Sequence, residues 1–390
     1  MPATIGDRAD AESRYGHRLV ISRAALATLA LLFCVVTPSV SPARQGGAVV
    51  RQEAPFPAVY GPGTRGLVRY EVLRGDFHMH TFHSDGSVSP ADRVLEAWEY
   101  GYDVIAITDH GDLRAYAEAV PMAEALDVLL LRGIETGINE QEHLIAFDFS
   151  ADYEPRNPHH WAETEGQSQV FYQEQWERLI AAGGFVLYAH PHVGLRETML
   201  WGISQGLLEG IEIYNGVVGS EWSTVESHGT YWYPFAFDWA VDHNLTIFAN
   251  SDAHDGRETT GPAVTLVIAT DRSRTAVLKA LHAGRTVAYF NNMLCGHEWV
   301  LQLLMTSLVD ARLVEVADGR TFLCLENHGP LELTAEITGT PLEPVILGPY
   351  EKALASLRRM PEVATINWKN VYVRPTQNFV TTHTLTDVTP

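Results

Sequence analysis

The chain has 390 residues, 46% of them hydrophobic, enough to bury a sizeable core and to build one large domain with a smaller companion. Its formal net charge of −21 argues against nucleic acid and against anionic membrane surfaces as partners. An anionic substrate would have to be drawn in by local positive charge, which bound metal ions can supply.

Arg14, Arg18 and Arg23 precede an apolar run from Ala24 to Val36, and Thr37–Ala43 is small and turn-forming. A charged start, an apolar run short for a membrane span and a small-residue stretch read as a cleavable export leader over residues 1–43. The expected mature protein is exported, periplasmic or extracellular, with no stable membrane span. Residues 44–68, rich in Gly, Pro and Arg, read as a linker.

Beyond the linker, strand-like and helix-like stretches alternate. Apolar runs predict strands over Tyr70–Met79, Asp103–Thr108, Val128–Gly133, His143–Phe149, Gly184–Ala189, Gly210–Tyr214 and Leu245–Ala249. Helical patterns cover Pro90–Tyr100, Leu113–Leu126, Gln169–Ala182, Phe235–His243 and Ser273–Ala283. This alternation implies an α/β domain, over residues 69–292, whose largely parallel sheet is covered by helices. Strands apolar on both sides, such as Val104–Ile107, suit burial on both faces. Two insertions break the rhythm. Asp152–Gln167 carries His159, His160 and Trp161, and Ser220–Pro234 carries Trp222, Tyr231, Trp232 and Tyr233. Both are expected to shape substrate access. From about Val300 short alternating stretches such as Thr321–Leu325, Leu331–Ile337 and Asn370–Arg374 read as a small β-rich C-terminal domain over residues 293–390. Cys295 and Cys324 could pair in an oxidising compartment.

The chemistry sits at the ends of the predicted strands. His78 and His80 alternate across one residue, so a strand aims both imidazoles to one face. Asp85, Asp109 and His110, Glu135, His143, His190 and His192, and Asp252 and His254 follow. Of these, His78, His80, His110, His143, His190 and His254 with Asp85, Glu135 and Asp252 make a ligand list too long for one tetrahedral zinc. It suits two or three divalent transition-metal ions sharing ligands, with Glu135 the natural bridge. Mixed imidazole and carboxylate ligation fits Mn, Fe or Zn better than Ca or Mg. Such ions lower the pKa of a bound water and clamp reacting oxygens.

The segments His78–Gly86, Ile107–His110, Gly133–Glu135, His143, Ala189–Pro191 and Ser251–His254, in that order, resemble the PHP (polymerase and histidinol phosphatase) superfamily of metallohydrolases. The resemblance spans roughly residues 70–292. It implies a distorted (β/α)7 barrel in which His78, His80, Glu135 and Asp252 hold a first ion. Glu135, His143 and His190 would hold a second, and Asp85, His110 and His254 a third. The leader and β-rich tail make the chain look similar to exported PHP-type hydrolases, a group that includes carbaryl hydrolases.

The implied activity is phosphoester hydrolysis by a metal-bridging hydroxide, with Glu135, Asp252 and His192 as candidate catalytic residues. Asp252 or His192 would protonate the leaving group, and Asp109 could orient a ligand imidazole. Arg196 and Arg257 could grip a phosphate or carboxylate, and Tyr214 and Asn215 could contact the same small-molecule ester. One alternative keeps the site but cleaves a carbamate, amide or carboxylic ester, a reading the aromatic insertion favours because aryl groups suit apolar walls. An alternative of another class is a metal-stabilised binding module without catalysis.

Overall fold

The computed structural model describes residues 50–52, 54–63, 66–137, 142–155, 169–216, 226–256, 263–315, 320–338, 342–356 and 363–384. The expected leader, most of the polar insertion and residues 217–225 lie outside them. Among the described residues no helix is long and apolar enough to cross a membrane. Residues 47–390 form one compact unit.

The first half runs β1 (Val59–Gly63), β2 (Gly66–Asp76), α1 (Pro90–Glu99), β3 (Val104–Ile107), α2 (Arg114–Leu126), β4 (Leu129–Gly137), β5 (His143–Phe147), α3 (Gln169–Ala181), β6 (Phe185–Ala189), α4 (Glu197–Ser204) and β7 (Gly210–Tyr214). A short hairpin, β8 (Glu226–Ser227) and β9 (Thr230–Tyr231), leads to α5 (Pro234–His243), β10 (Thr246–Ala249), β11 (Val264–Ala269), α6 (Arg274–His282), β12 (Thr286–Phe290) and β13 (Met293–Gly296). The tail adds α7 (Glu298–Leu308), β14 (Val309–Glu315), β15 (Thr321–Asn327), β16 (Leu333–Ile337), β17 (Val345–Leu347), β18 (Lys352–Ser356), β19 (Val363–Arg374) and β20 (Gln377–Thr384).

One sheet carries the strand order β10-β7-β6-β5-β4-β3-β2-β11-β12-β13-β19-β16-β17. The expectation of a largely parallel sheet needs correction. Strands β2, β3 and β4 are parallel, as are β6, β7 and β10, but β5 lies antiparallel between β4 and β6. The cause is connection length: the few residues between Gly137 and His143 cannot hold a crossover helix, so the chain returns as a hairpin. Strand β11 is likewise antiparallel to β2 and β12.

The two ends of the barrel meet through side chains. Thr286 Oγ1 accepts from the Ile247 amide at 3.3 Å and donates to the Ile247 carbonyl at 2.8 Å. Thr265 Oγ1 accepts from the Ala249 amide and donates to its carbonyl, both at 3.0 Å. Two buried hydroxyls thus satisfy the outer backbone edge of β10, where no ladder partner runs. Thr286→Val keeps the shape and strands one amide and one carbonyl. It should cost about 1–3 kcal/mol of stability, read by denaturant unfolding; an unchanged midpoint would remove the hydroxyl from the seam.

The sheet continues past the barrel. Strand β13 pairs antiparallel with β12 and parallel with β19, so the tail's strands extend the barrel's sheet. Position 292/293, read from sequence as the domain boundary, falls at the end of the Asn291–Asn292 turn of this hairpin, where φ is 46° and 59°. Asparagine tolerates that left-handed region. A second sheet, β14-β15-β18, completes the β-rich tail. Cys295 and Cys324 are both free and buried, so they do not pair.

Candidate metal centre

The sequence places its ligand-type residues at one edge of the barrel. Strand β2 ends at Asp76 rather than Met79, yet His78 and His80 keep the alternation. Met79 bridges Ala253, and its carbonyl accepts from the Thr108 amide at 2.8 Å. Both imidazoles therefore turn inward. His110 follows β3, His190 follows β6, and Asp252 and His254 follow β10. His143 is the first residue of β5. Because β5 runs antiparallel, its start lies at the edge where the parallel strands end, the edge at which barrel folds place their ligands. His190 and Asp252 have φ of 25° and 52°, a region that strains a non-glycine residue by about 1–3 kcal/mol.

Glu135 stands at the centre with no solvent exposure. Its Oε1 lies 2.7 Å from His143 Nδ1 and 3.0 Å from His190 Nε2. Its Oε2 lies 3.1 Å from both His78 Nε2 and His80 Nε2, and 3.2 Å from His110 Nδ1. Asp252 Oδ1 closes on the same point, 3.1 Å from His78 Nε2 and 3.0 Å from His80 Nε2. At the rim, Asp85 Oδ2 lies 3.3 Å from His110 Nε2 and from His254 Nε2.

Three groups able to hold an ion result: His78, His80, Glu135 and Asp252; His110, Glu135 and His143; and His80, Asp85, His110 and His254. The first has the composition read from sequence. In the second, His110 takes the place given to His190, which reaches the cluster through Glu135. The third gains His80.

The donor set fits divalent cations. His78 Nδ1 lies 2.9 Å from Glu212 Oε1, which places the ring's proton on that nitrogen and turns the Nε2 lone pair inward. His78 Nε2 lies 3.1 Å from the His80 nitrogen and 3.1 Å from each of two carboxylate oxygens, of Glu135 and Asp252. Acceptors converge this closely only around a cation or displaced protons.

In the metal-free site protons take that role. Burial opposes charge on His80, but Asp252 and Glu135 outweigh it and raise the ring to about 9. Burial likewise opposes charge on His78, and Asp252, Glu135 and Glu212 hold it well above its ordinary value. Burial lowers His143 to about 4 despite Glu135, leaving it a neutral ligand. Asp85, though partly desolvated, is held far below the usual carboxylate range by His110 and His254. Below His80's value of about 9 an incoming ion must displace a proton. Metal affinity should therefore rise as pH rises towards that value and fall on acidification, with protons released on binding. Titration calorimetry in buffers of different ionisation enthalpy checks this; heats independent of buffer at about pH 7 would contradict it.

The supporting residues were only partly foreseen. Glu212, not singled out in the sequence, is fully buried. Its Oε1 accepts from Asn250 Nδ2 at 2.8 Å besides facing His78, and its Oε2 accepts from the His190 amide at 2.7 Å and Asn215 Nδ2 at 2.8 Å. The available signal was a carboxylate inside the otherwise apolar buried strand Gly210–Tyr214. Asp109 accepts from the Thr81 amide, Thr81 Oγ1 and Ser84 Oγ, each at 2.7 Å, and so fixes the loop that carries Asp85; it meets a ligand imidazole only through Ser84 Oγ, 3.4 Å from His80 Nδ1. Gly86 completes that loop, since a Cβ there would lie 2.7 Å from the His80 carbonyl carbon.

Several expected substrate contacts fall elsewhere. Asn215 is fully buried with its amide on Glu212, behind the ligands rather than before a substrate. The half-buried Tyr214 ring stacks on Phe290 at 4.6 Å. Arg196 stands at the rim, half exposed and 3.9 Å from Glu142. His192 is half-buried with its ring 5.6 Å from that of His190; burial and His190 lower its pKa. Arg257, His159, His160, Trp161 and Trp222 lie outside the described residues. Trp232 and Tyr233 are fully buried in the core, so they wall no accessible pocket. A cavity of about 500 Å³ opens between residues 51, 52 and 54–58 and Arg74, Trp98 and Asp103. Asp103 precedes β3 whereas His110 follows it, so that cavity is at the other end of the barrel.

Comparison with known proteins agrees with this geometry. The family model of the PHP domain matches residues 76–230, and that of the PHP-associated segment matches residues 232–286. Together they take in more than half of the chain, which belongs to the PHP superfamily. A similar solved structure is a two-domain protein containing a predicted PHP-like metal-dependent phosphoesterase from Bacteroides vulgatus. It is 25% identical, covers 87% of this chain and 100% of that one, and has a TM-score of 0.72. Among curated proteins, a 5'-3' exoribonuclease of Haemophilus influenzae is 31% identical over 77 residues, 19% of this chain and 28% of that protein. A PolC-type DNA polymerase III of Halalkalibacterium halodurans is 30% identical over 92 residues, 23% of this chain and 6% of that protein. The chain thus spans less than a third of the length of these curated relatives.

Proposed function

We propose that this protein is a metal-dependent phosphoesterase that hydrolyses a small phosphate monoester or diester at a centre of two or three Mn, Fe or Zn ions. The observation that carries this reading is the single Glu135 carboxylate set among five imidazoles, with Asp252 and Asp85 completing neighbouring groups. His78, His80, Glu135 and Asp252 would hold one ion, His110, Glu135 and His143 a second, and Asp85 and His254, beside His80 and His110, a third. Bound ions supply an activated water and neutralise charge on the reacting oxygens.

The chain's own residues do the rest. Asp252, although buried, is held far below the usual carboxylate range by His78 and His80. It serves as an ionised ligand, and proton handling falls to His192. That ring, neutral near pH 7 because its pKa is lowered, accepts a proton or donates its N–H to a developing oxyanion. Arg196 at the rim pairs with a phosphate oxygen. The similar protein from Bacteroides vulgatus is described as containing a predicted PHP-like metal-dependent phosphoesterase, which supports the bond type. The acidity of the chain favours a small ester over a nucleic acid, and residues 1–43 favour action outside the cytoplasm.

The test is turnover by the protein on p-nitrophenyl phosphate, bis-p-nitrophenyl phosphate and an aryl N-methylcarbamate, with metal content measured on the same sample. Phosphate-ester turnover with two or more bound ions is expected. Carbamate turnover alone would replace phosphorus with carbon as the centre attacked, and bound metal without turnover on any of the three would favour a binding module.

A further inference from the structure

Helix α1 buries Pro90, Arg93, Val94 and Ala97. That i, i+3, i+4, i+7 stripe is the apolar face of an amphipathic helix, so a guanidinium occupies a position the pattern gives to an apolar side chain. Arg93 is only 1% exposed. A charge that deep persists only when it is paired and hydrogen-bonded, and its partners are informative. Nε donates to the His80 carbonyl at 3.0 Å, and Nη2 donates to the His254 carbonyl at 3.0 Å. Nη1 donates to the Asp255 carbonyl at 3.3 Å and pairs with Glu96.

Those first two carbonyls belong to two members of the rim group, His80, Asp85, His110 and His254. They sit on segments distant in sequence, which also meet through the amides of His80, Ser87 and Asp252 on the carbonyls of Ala253, His254 and His78, at 2.9, 2.8 and 2.9 Å, and through the stacked rings of His80 and His254, 4.3 Å apart. Two of the rim group's members are also less packed than the inner ligands. The side chains of Asp85 and His254 are 44% and 29% exposed, whereas those of His78 and Glu135 have no exposure and His78 has its own support in Glu212. A forked donor that bonds both backbones at once fixes the spacing of His80 and His254 from behind, where a lysine's point charge could not.

We propose that Arg93 is a positioning residue that sets the affinity of the rim group for a divalent ion by clamping the carbonyls of His80 and His254. The proposal rests on the metal-dependent reading above.

The experiment titrates Mn²⁺ into the metal-free full chain by calorimetry, for the parent protein and for Arg93→Met, Arg93→Lys, Glu96→Gln and Asp85→Asn. Asp85→Asn marks which binding step belongs to the rim group. Arg93→Met should weaken that same step by roughly 10–100-fold, the usual effect of losing a group that orients ligands, and leave the other steps within about twofold. Arg93→Lys should recover part of the loss. Glu96→Gln, which removes the ion partner and keeps both carbonyl bonds, should lower thermal stability without moving the rim step. Two results overturn the proposal: Mn²⁺ steps in Arg93→Met equal to those of the parent, or all steps weakened together in proportion to lost thermal stability. A parent protein that takes up no Mn²⁺ sinks the metal-dependent reading itself, and this inference with it.

Discussion

Glu135→Gln should abolish metal loading and turnover together. The carboxylate faces His143 and His190 through one oxygen and His78, His80 and His110 through the other. An amide of the same shape keeps one acceptor and turns two N–H groups towards imidazole nitrogens that must present lone pairs to an ion. Ligands of two groups are lost in one substitution, so metal affinity should fall by more than the roughly 100-fold typical of a supporting residue, and turnover with it. Metal analysis by mass spectrometry beside a phosphatase assay decides the matter. A variant that retained its full metal complement and rate would remove Glu135 from the centre of the mechanism.

Glu212→Gln should have the next largest effect, for a different reason. Glu212 touches no other carboxylate and lies behind the ligands. Four donors reach it: His78 Nδ1, Asn250 Nδ2, the His190 amide and Asn215 Nδ2. Two arrive at each oxygen, so a glutamine must set its own N–H₂ against two donors whichever way it turns. A buried unsatisfied donor costs about 1–3 kcal/mol, which denaturant unfolding would register. His78 would face either a neutral amide oxygen or an opposing N–H₂ in place of the carboxylate that holds its proton on Nδ1, and metal affinity should drop by roughly 10–100-fold. An unchanged affinity with reduced stability would make Glu212 a purely structural carboxylate.

The contrast between these two residues indicates how far the sequence could be read. Glu135 was identifiable because it closes an apolar run and belongs to an ordered series of imidazoles and carboxylates. Glu212 and Arg93 belong to no such series. Each is marked only by charge at a buried position, Glu212 inside strand β7 and Arg93 on the apolar stripe of α1, and that mark does not say which group each one contacts. The aromatic residues Trp232 and Tyr233 were misread for the opposite reason. Their clustering suggested an accessible wall, but packing around α5 buries them completely.

The sequence by itself determined the alternation of strands and helices, the inward alternation of His78 and His80, and the residue types of the eight side chains that gather into the three candidate groups. These follow from local periodicity and from side-chain chemistry, which neighbouring positions along the chain already express. Only the tertiary structure decided the direction of β5, the closure of β10 on Thr265 and Thr286, the grouping of His110 with Glu135 and His143, and the roles of Glu212, Asp109 and Arg93. Each depends on contacts between segments far apart in the chain, such as Arg93 with His254 or Glu212 with His78. Such contacts form only once burial has removed competing water and made a hydrogen bond to a distant partner the way left to satisfy a charge.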